Sequence, residues 1–215
     1  MIDYLGSHRS DILAALSQHL VLALLPVVLG FLIALPLGYV AHRYGWLRPP
    51  LLNLSSILYA IPSLALFVLL PTILGTQILD PVNIVVALAV YTVALLVRTV
   101  TDGLGAVDAA AVQAATAMGF RPLRRLIQVE LPIAVPVIVA GLRVATVSNI
   151  SLVSVGALIG VGGLGALFTQ GLQLSYLDPI IVGMVLSMSL AVIFDLLLVV
   201  LQRALTPWMR AGAQP

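Results

Sequence analysis

The sequence predicts an all-α protein that crosses a membrane five times, and three observations carry that prediction. Of 215 residues, 61% are hydrophobic and 8% charged, whereas an ordinary globular domain has about a quarter of its residues charged. Residues 12–42, 49–79, 81–97, 144–177 and 179–194 contain no Asp, Glu, Lys or Arg, and a helix needs roughly 20 apolar residues to cross the hydrocarbon core. All ten basic residues are arginines, and eight of them (Arg43, Arg48, Arg98, Arg121, Arg124, Arg125, Arg203 and Arg210) fall on one side of the resulting arrangement. Short cytoplasmic loops retain positive charge, so that side is predicted to be cytoplasmic. Arg9 lies on the other side and Arg143 inside the fourth span. The N-terminus is therefore expected outside and the C-terminus inside.

The first span is predicted at about residues 20–41. Its apolar stretch is longer than the roughly 7–15 residues of a signal-peptide core, and Met1-Ile2-Asp3-Tyr4 has no basic flank, so no cleaved leader is expected. The second span follows at 51–74 and the third at 82–100. Pro26, Pro36, Pro62, Pro71 and Pro136 fall within the spans, which marks kinks or breaks, because neighbouring helices can satisfy the carbonyls that proline frees.

Residues 101–131 form a long cytoplasmic connection with Asp102, Asp108, Glu130 and three arginines. Its part 109–118 contains strong helix formers with no breaker before Gly119. Short helices lying against the inner face are expected here. The fourth span is predicted at 132–153 and the fifth at 179–201. Between them, 156–176 is rich in glycine yet apolar, as in Gly160-Val161-Gly162-Gly163-Leu164-Gly165, which suits irregular backbone that protein covers or that lines a cavity. No repeat and no appended soluble domain is evident. Residues 1–215 read as one membrane domain.

Several function classes are excluded or disfavoured. With no cysteine there are no disulfides or thiolate metal sites, and His8, His19 and His42 do not have metal-motif spacing. The basic residues are not pooled into a nucleic-acid patch. With no lysine, the chain cannot contain a Gly-x-x-x-x-Gly-Lys-Ser/Thr phosphate loop. An intramembrane enzyme would need convergent catalytic groups, and no histidine at membrane depth pairs with a serine. A passive channel would need a charged ring or a filter sequence, and neither is apparent.

The most specific feature is Gln113-Ala114-Ala115-Thr116-Ala117-Met118-Gly119, followed after nine residues by Val129-Glu130-Leu131-Pro132. A short alanine-rich helix can sit closely in a partner's cleft, glycine ends it, and proline starts the next helix where its missing N–H is no loss. Ala-Ala and Gly alone would also fit a helix that merely closes a loop. The full spacing resembles the cytoplasmic signature of ABC importer permeases: Glu-Ala-Ala, three residues, Gly, nine residues, then Ile-x-Leu-Pro. Gln113 and Val129 depart from it.

The resemblance implies a methionine-importer-permease-like fold with five spans and a cytoplasmic coupling helix. It assigns the docking of an ATPase to 109–132, and within that segment to Gln113, Ala114, Ala115, Gly119, Phe120, Arg121, Pro122, Leu131 and Pro132. Three further places, Ala60-Ile61-Pro62-Ser63-Leu64-Ala65-Leu66, Val107-Asp108 and Gly156 to Gly165, look like permeases for glycine betaine, carnitine and choline. An importer of amino acids such as methionine is the alternative. The implied assembly has two cytoplasmic ATPases carrying ATP and Mg, a second permease (identical or homologous) and an extracytoplasmic binding protein. It sits in lipid in a bacterial inner membrane, and this chain holds no cofactor and contacts no nucleic acid.

Candidate pathway residues are Tyr59, Pro62, Ser63, Ser148, Asn149, Ser151 and Ser154. At 100° per residue, Ser148, Ser151 and Ser154 share one strip of the fourth span. The strip can be a polar wall of the path or a helix-packing surface, since small polar residues serve both. Arg143 and Asp195 are ionisable groups at membrane depth, which need a partner or water. Their depths on antiparallel spans differ by about 7.5 Å at 1.5 Å per residue. They can form a gate pair or snorkel separately. A quaternary ammonium would call for aromatic faces, and Trp46 and Trp208 are placed as interfacial anchors, leaving Tyr59, Phe67 and Tyr91 for contact within the membrane.

Overall fold

A computed structural model describes residues 2–208; Arg210, one of the arginines used for orientation, lies outside them. In chain order the helices are α1 (Ile2–Ser7), α2 (Arg9–Arg43), α3 (Arg48–Ala60), α4 (Ser63–Leu74), α5 (Pro81–Gly105), α6 (Ala109–Ala117), α7 (Pro122–Arg125), α8 (Leu131–Gly156), α9 (Gly165–Gln173) and α10 (Leu177–Leu205). A π-helical turn, Leu126–Glu130, leads into α8, and a 3-10 turn, Ala157–Ile159, follows it. The helices α2, α5, α8 with its flanking turns, and α10 are long and apolar enough to cross a membrane. The pair α3 and α4 qualifies only together, bent by 101°.

Packing fixes the relative directions of these helices. Gly30 of α2 lies against Thr92 of α5, and Gly38 against Val100. Residue numbers rise together, so α2 and α5 run parallel. Two parallel spans need a return crossing between them, and the bent pair α3–α4 supplies it. Gly103 of α5 meets Val137 of α8 while Thr99 meets Gly141, so α8 runs back along α5, and α10 reverses again. Among the described residues five crossings result when the bent pair is taken as one span, the number predicted.

Glycine and alanine allow the close approach. A Cβ on Gly30 would lie 2.5 Å from the Thr92 Cβ, and one on Gly38 2.6 Å from the Val100 Cβ. Ala34, between them at the same four-residue interval, is fully buried. Small residues on one helix face let backbones approach where dispersion between helices is the main attraction. The Thr101 hydroxyl also donates to the Gly38 carbonyl at 3.2 Å. The core lies where α2, α4, α5 and α8 meet, with Leu22, Phe67, Ile84, Leu88, Ile150 and Val153 buried. By contrast, Met184, Val185, Met188, Val192 and Leu196 on α10 are exposed, an apolar face of the kind that lipid or a partner chain covers.

The structure corrects several sequence expectations. The second span is not continuous over 51–74. Ile61 is extended (ψ 129°) ahead of Pro62, which has no N–H for the carbonyl one turn back, and the helix breaks there. Pro26, Pro36, Pro71 and Pro136 stay inside their helices. The first span begins eleven residues earlier than residue 20, because Gln18 and His19 are used in hydrogen bonds to the outer loop and do not end the helix. The third span continues to Gly105 and the fifth to Leu205. The glycine-rich outer stretch is largely helical, through α9.

Candidate functional site

The segment between α5 and α8 is built from local rules. The Asp108 side chain caps α6 by accepting the Ala110 N–H at 2.9 Å. At the other end the Gly119 N–H reaches the Thr116 carbonyl at 3.0 Å and the Phe120 N–H the Ala115 carbonyl at 3.1 Å. Gly119 has φ +81°, the left-handed closure in which glycine is favoured. Ala115, 1% exposed, rests on the chain itself, whereas Gln113, Ala114, Ala117 and Met118 face outward. Arg121 and Pro122 are exposed, Phe120 is half-buried beneath the Arg124 guanidinium at 4.8 Å, and Leu131 and Pro132 are half-buried at the start of α8. Met118, Leu123 and Ile127 add exposed apolar side chains.

Arg125 ties this segment together. Its Nε donates to Glu130 Oε1 at 2.6 Å and its Nη1 to the Thr116 hydroxyl at 2.9 Å. One guanidinium thus joins the end of α6 to the residue that precedes α8. Sequence reasoning used Arg125 and Glu130 only as charges, because residues five apart do not share an α-helical face. The π turn, in which the Leu131 N–H reaches back to the Leu126 carbonyl, brings that spacing together.

A second feature is a cavity of about 210 Å³ at the α3–α4 break. Tyr59, Ser63, Ser148 and Asn149 line it together with Ile61, Tyr91 and Thr92. Pro62 lies at the break, exposed, between two lining residues. The Tyr59 and Tyr91 rings meet edge to face at 5.9 Å, and the Tyr91 hydroxyl donates to the Ile61 carbonyl. The Asn149 amide nitrogen donates to the Thr92 hydroxyl at 3.0 Å and to the Ala23 carbonyl at 3.4 Å, holding α8, α5 and α2 together behind the cavity.

The serine strip divides. Ser148 lines the tyrosine cavity, while Ser151 and Ser154 line a different one of about 230 Å³ with Phe168, Met184 and Ser187. Arg143 and Asp195 meet as a bidentate pair, with both N···O distances 2.7 Å. Their side chains are 36% and 30% exposed. They border a third cavity, of about 440 Å³, that also includes Ser148, so the pair and the tyrosine cavity share a wall.

At the opposite end, the Gln18 Oε1 accepts the Gly163 N–H at 2.9 Å, and the His19 Nδ1 accepts the Leu164 N–H at 3.2 Å. The ring proton therefore sits on Nε2, which donates to the Ile150 carbonyl at 3.0 Å. Two amides of the glycine-rich loop are thus engaged by side chains of α2. Among the described residues, no three His, Asp or Glu side chains are grouped to hold a metal ion.

The chain resembles the osmoprotectant import permease protein OsmW of Salmonella typhimurium, at 35% identity over 96% of this chain and 97% of the relative. It is 33% identical to the choline transport system permease protein OpuBB of Bacillus subtilis, covering all of this chain and 96% of the relative. The glycine betaine/carnitine/choline transport system permease protein OpuCB of the same organism is 31% identical, over 96% and 94%. Among solved structures, a chain of the MetNI methionine ABC transporter in an inward-facing conformation superposes with a TM-score of 0.83 at 22% identity, over 91% of this chain and 96% of that one. A chain of an amino acid ABC transporter with histidines gives 0.74 at 20%, over 95% and 99%. These two show a shared fold. Residues 26–210 match the family described as binding-protein-dependent transport system inner membrane component, and the chain belongs to that family, the multi-pass permease subunits of ABC importers.

Proposed function

We propose that this chain, as one membrane domain over residues 1–215, forms the translocation path for osmoprotectant quaternary amines and that residues 109–132 couple the path to ATP hydrolysis. Permeases of this family are transport subunits that work with a partner ATPase, a second permease and a binding protein, and the ATPase hydrolyses ATP. The observation that carries the coupling reading is the capped helix α6. It presents Gln113, Ala114 and Met118 outward, and Arg125 ties it to the base of α8. A push on α6 is transmitted to the helix that bears Arg143, Ser148 and Asn149.

The substrate reading rests on relatives whose names specify osmoprotectants, choline, glycine betaine and carnitine. Two ATPases lie beneath a permease pair in this reading, with the binding protein above, the N-terminus outside and the C-terminus in the cytoplasm. ATP and Mg belong to the ATPases. The Arg143–Asp195 pair serves as a latch between α8 and α10 beside the path.

Uptake by proteoliposomes containing the chain, its ATPase and its binding protein tests this function. ATP-dependent accumulation of radiolabelled choline or glycine betaine is the expected outcome. Accumulation of methionine alone would retain an importer and overturn the substrate class.

A further inference from the structure

The cavity at the α3–α4 break has a chemistry of its own, beyond being a stretch of path. Its lining side chains are all uncharged, so neither an anion nor a metal ion finds a counter-charge there. Three of its polar groups have their hydrogens engaged within the chain. The Tyr91 hydroxyl donates to Ile61, the Thr92 hydroxyl to Leu88, and the Asn149 amide to Thr92 and Ala23. What these groups can still offer a guest is ring faces and oxygen lone pairs.

The backbone adds to the same sign. The 13-residue α3 ends at Ala60, and Tyr59 and Ile61, on either side of that end, both line the cavity. A helix C-terminus carries partial negative charge and leaves its last carbonyls without intrahelical partners. Of the last carbonyls of α3, that of Leu58 takes the Ile61 N–H at 3.4 Å, and Pro62 has no N–H to add. Broken membrane helices use such ends to hold cations.

A cation without N–H groups matches this lining best. It forms no hydrogen bonds, so it leaves none unmade, and it is stabilised over tyrosine rings. A primary ammonium, more compact and more strongly hydrated, would call for a counter-charge that the lining lacks. The hydroxyls of Tyr59, Ser63 and Ser148 form no hydrogen bond among the described residues and can donate to a hydroxyl or carboxylate on the same solute. The volume of about 210 Å³ is the share of roughly seven waters at ~30 Å³ each, room for a small head group.

We propose that this cavity binds the quaternary ammonium head of the transported solute, with the rings of Tyr59 and Tyr91 and the carbonyl end of α3 as the cation-stabilising groups. The proposal rests on the substrate reading above and places a solute-contact site within this chain.

The test is equilibrium binding of radiolabelled choline to the permease–ATPase complex in nanodiscs, without binding protein, alongside uptake by the complete transporter. Tyr59 is 49% exposed, so replacing it removes little core. Tyr59→Phe is expected to retain choline binding, Tyr59→Leu to weaken it about tenfold, and increasingly fluorinated phenylalanines at this position to weaken it stepwise. Binding to Tyr59→Leu as tight as to wild type, with wild-type uptake of choline intact, would overturn this site and leave the substrate reading standing. Absence of quaternary amine uptake by wild type would overturn both.

Discussion

Replacing Arg125 by methionine keeps a long apolar stem and removes a guanidinium that touches two elements at once. Its partners are the Thr116 hydroxyl on α6 and the Glu130 carboxylate at the foot of α8. The Glu130 side chain is only 6% exposed, against 21% for Arg125. Removing one member of a buried pair strands the other, at a cost of about 3–5 kcal/mol, and the partial exposure of Arg125 places this case near the lower end. At ~1.4 kcal/mol per tenfold, about 3 kcal/mol lowers the folded-to-unfolded ratio by two orders of magnitude. Glu130→Gln removes the stranded charge, so Arg125→Met with Glu130→Gln should be more stable than Arg125→Met alone while remaining untied. The measurements are thermal unfolding of the purified complex and the ratio of solute imported to ATP hydrolysed in proteoliposomes. Both variants should hydrolyse ATP with a ratio reduced at least tenfold. A wild-type ratio in Arg125→Met would refute the tie as a transmitter.

Gly119→Val places a β-branched residue at φ +81°, a conformation costing about 1–2 kcal/mol for an L-residue, and should lower uptake with the chain still inserted, as measured by transport at equal expression. Gly38→Leu, whose Cβ would begin 2.6 Å from the Val100 Cβ, should destabilise the α2–α5 contact by about 1–3 kcal/mol through overpacking; Gly6→Ala, with open space around it, is the control in the same unfolding assay. His19→Ala leaves the Leu164 N–H and the Ile150 carbonyl without the imidazole, at about 1–3 kcal/mol for each buried group stranded. Faster hydrogen exchange across 160–165 is the expected readout. Neutralising either Arg143 or Asp195 should impair transport, and the exchange of the two charges should restore part of it; no restoration would argue against the latch.

Much of the fold was legible because lipid imposes simple rules. Five charge-free stretches give five crossings, and α6 follows from its strong helix formers and Gly119. The Arg143–Asp195 alternatives were also visible, since depth along antiparallel helices is arithmetic. The sharp bend at Pro62 was not legible: Pro26, Pro36 and Pro136 read the same in sequence and leave their helices continuous. Whether a proline kinks or breaks depends on what neighbouring helices offer the freed carbonyls, a tertiary property. Gln18 and His19 fall just outside the span predicted at 20–41, yet they hold the glycine loop 145 residues away. The four-residue spacing of Gly30, Ala34 and Gly38 is a close-packing signal that lies in the sequence beneath the stronger hydropathy pattern. Ser148, Ser151 and Ser154 share a helical strip, but α9 and α10 pack over part of it, so two cavities divide what periodicity joins.

The chain contains no cysteine, so a single Gln113→Cys gives a unique chemical handle on the exposed face of α6. Reaction with a membrane-impermeant maleimide, compared between inverted and right-side-out vesicles, followed by bifunctional cross-linking in the presence of the ATPase, tests the coupling role most directly. Labelling only in inverted vesicles, loss of labelling when the ATPase is bound, and a cross-link between the two chains are the predicted result. Labelling from the outer face would contradict the orientation, and unaltered labelling with the ATPase bound would contradict the coupling role assigned to residues 109–132.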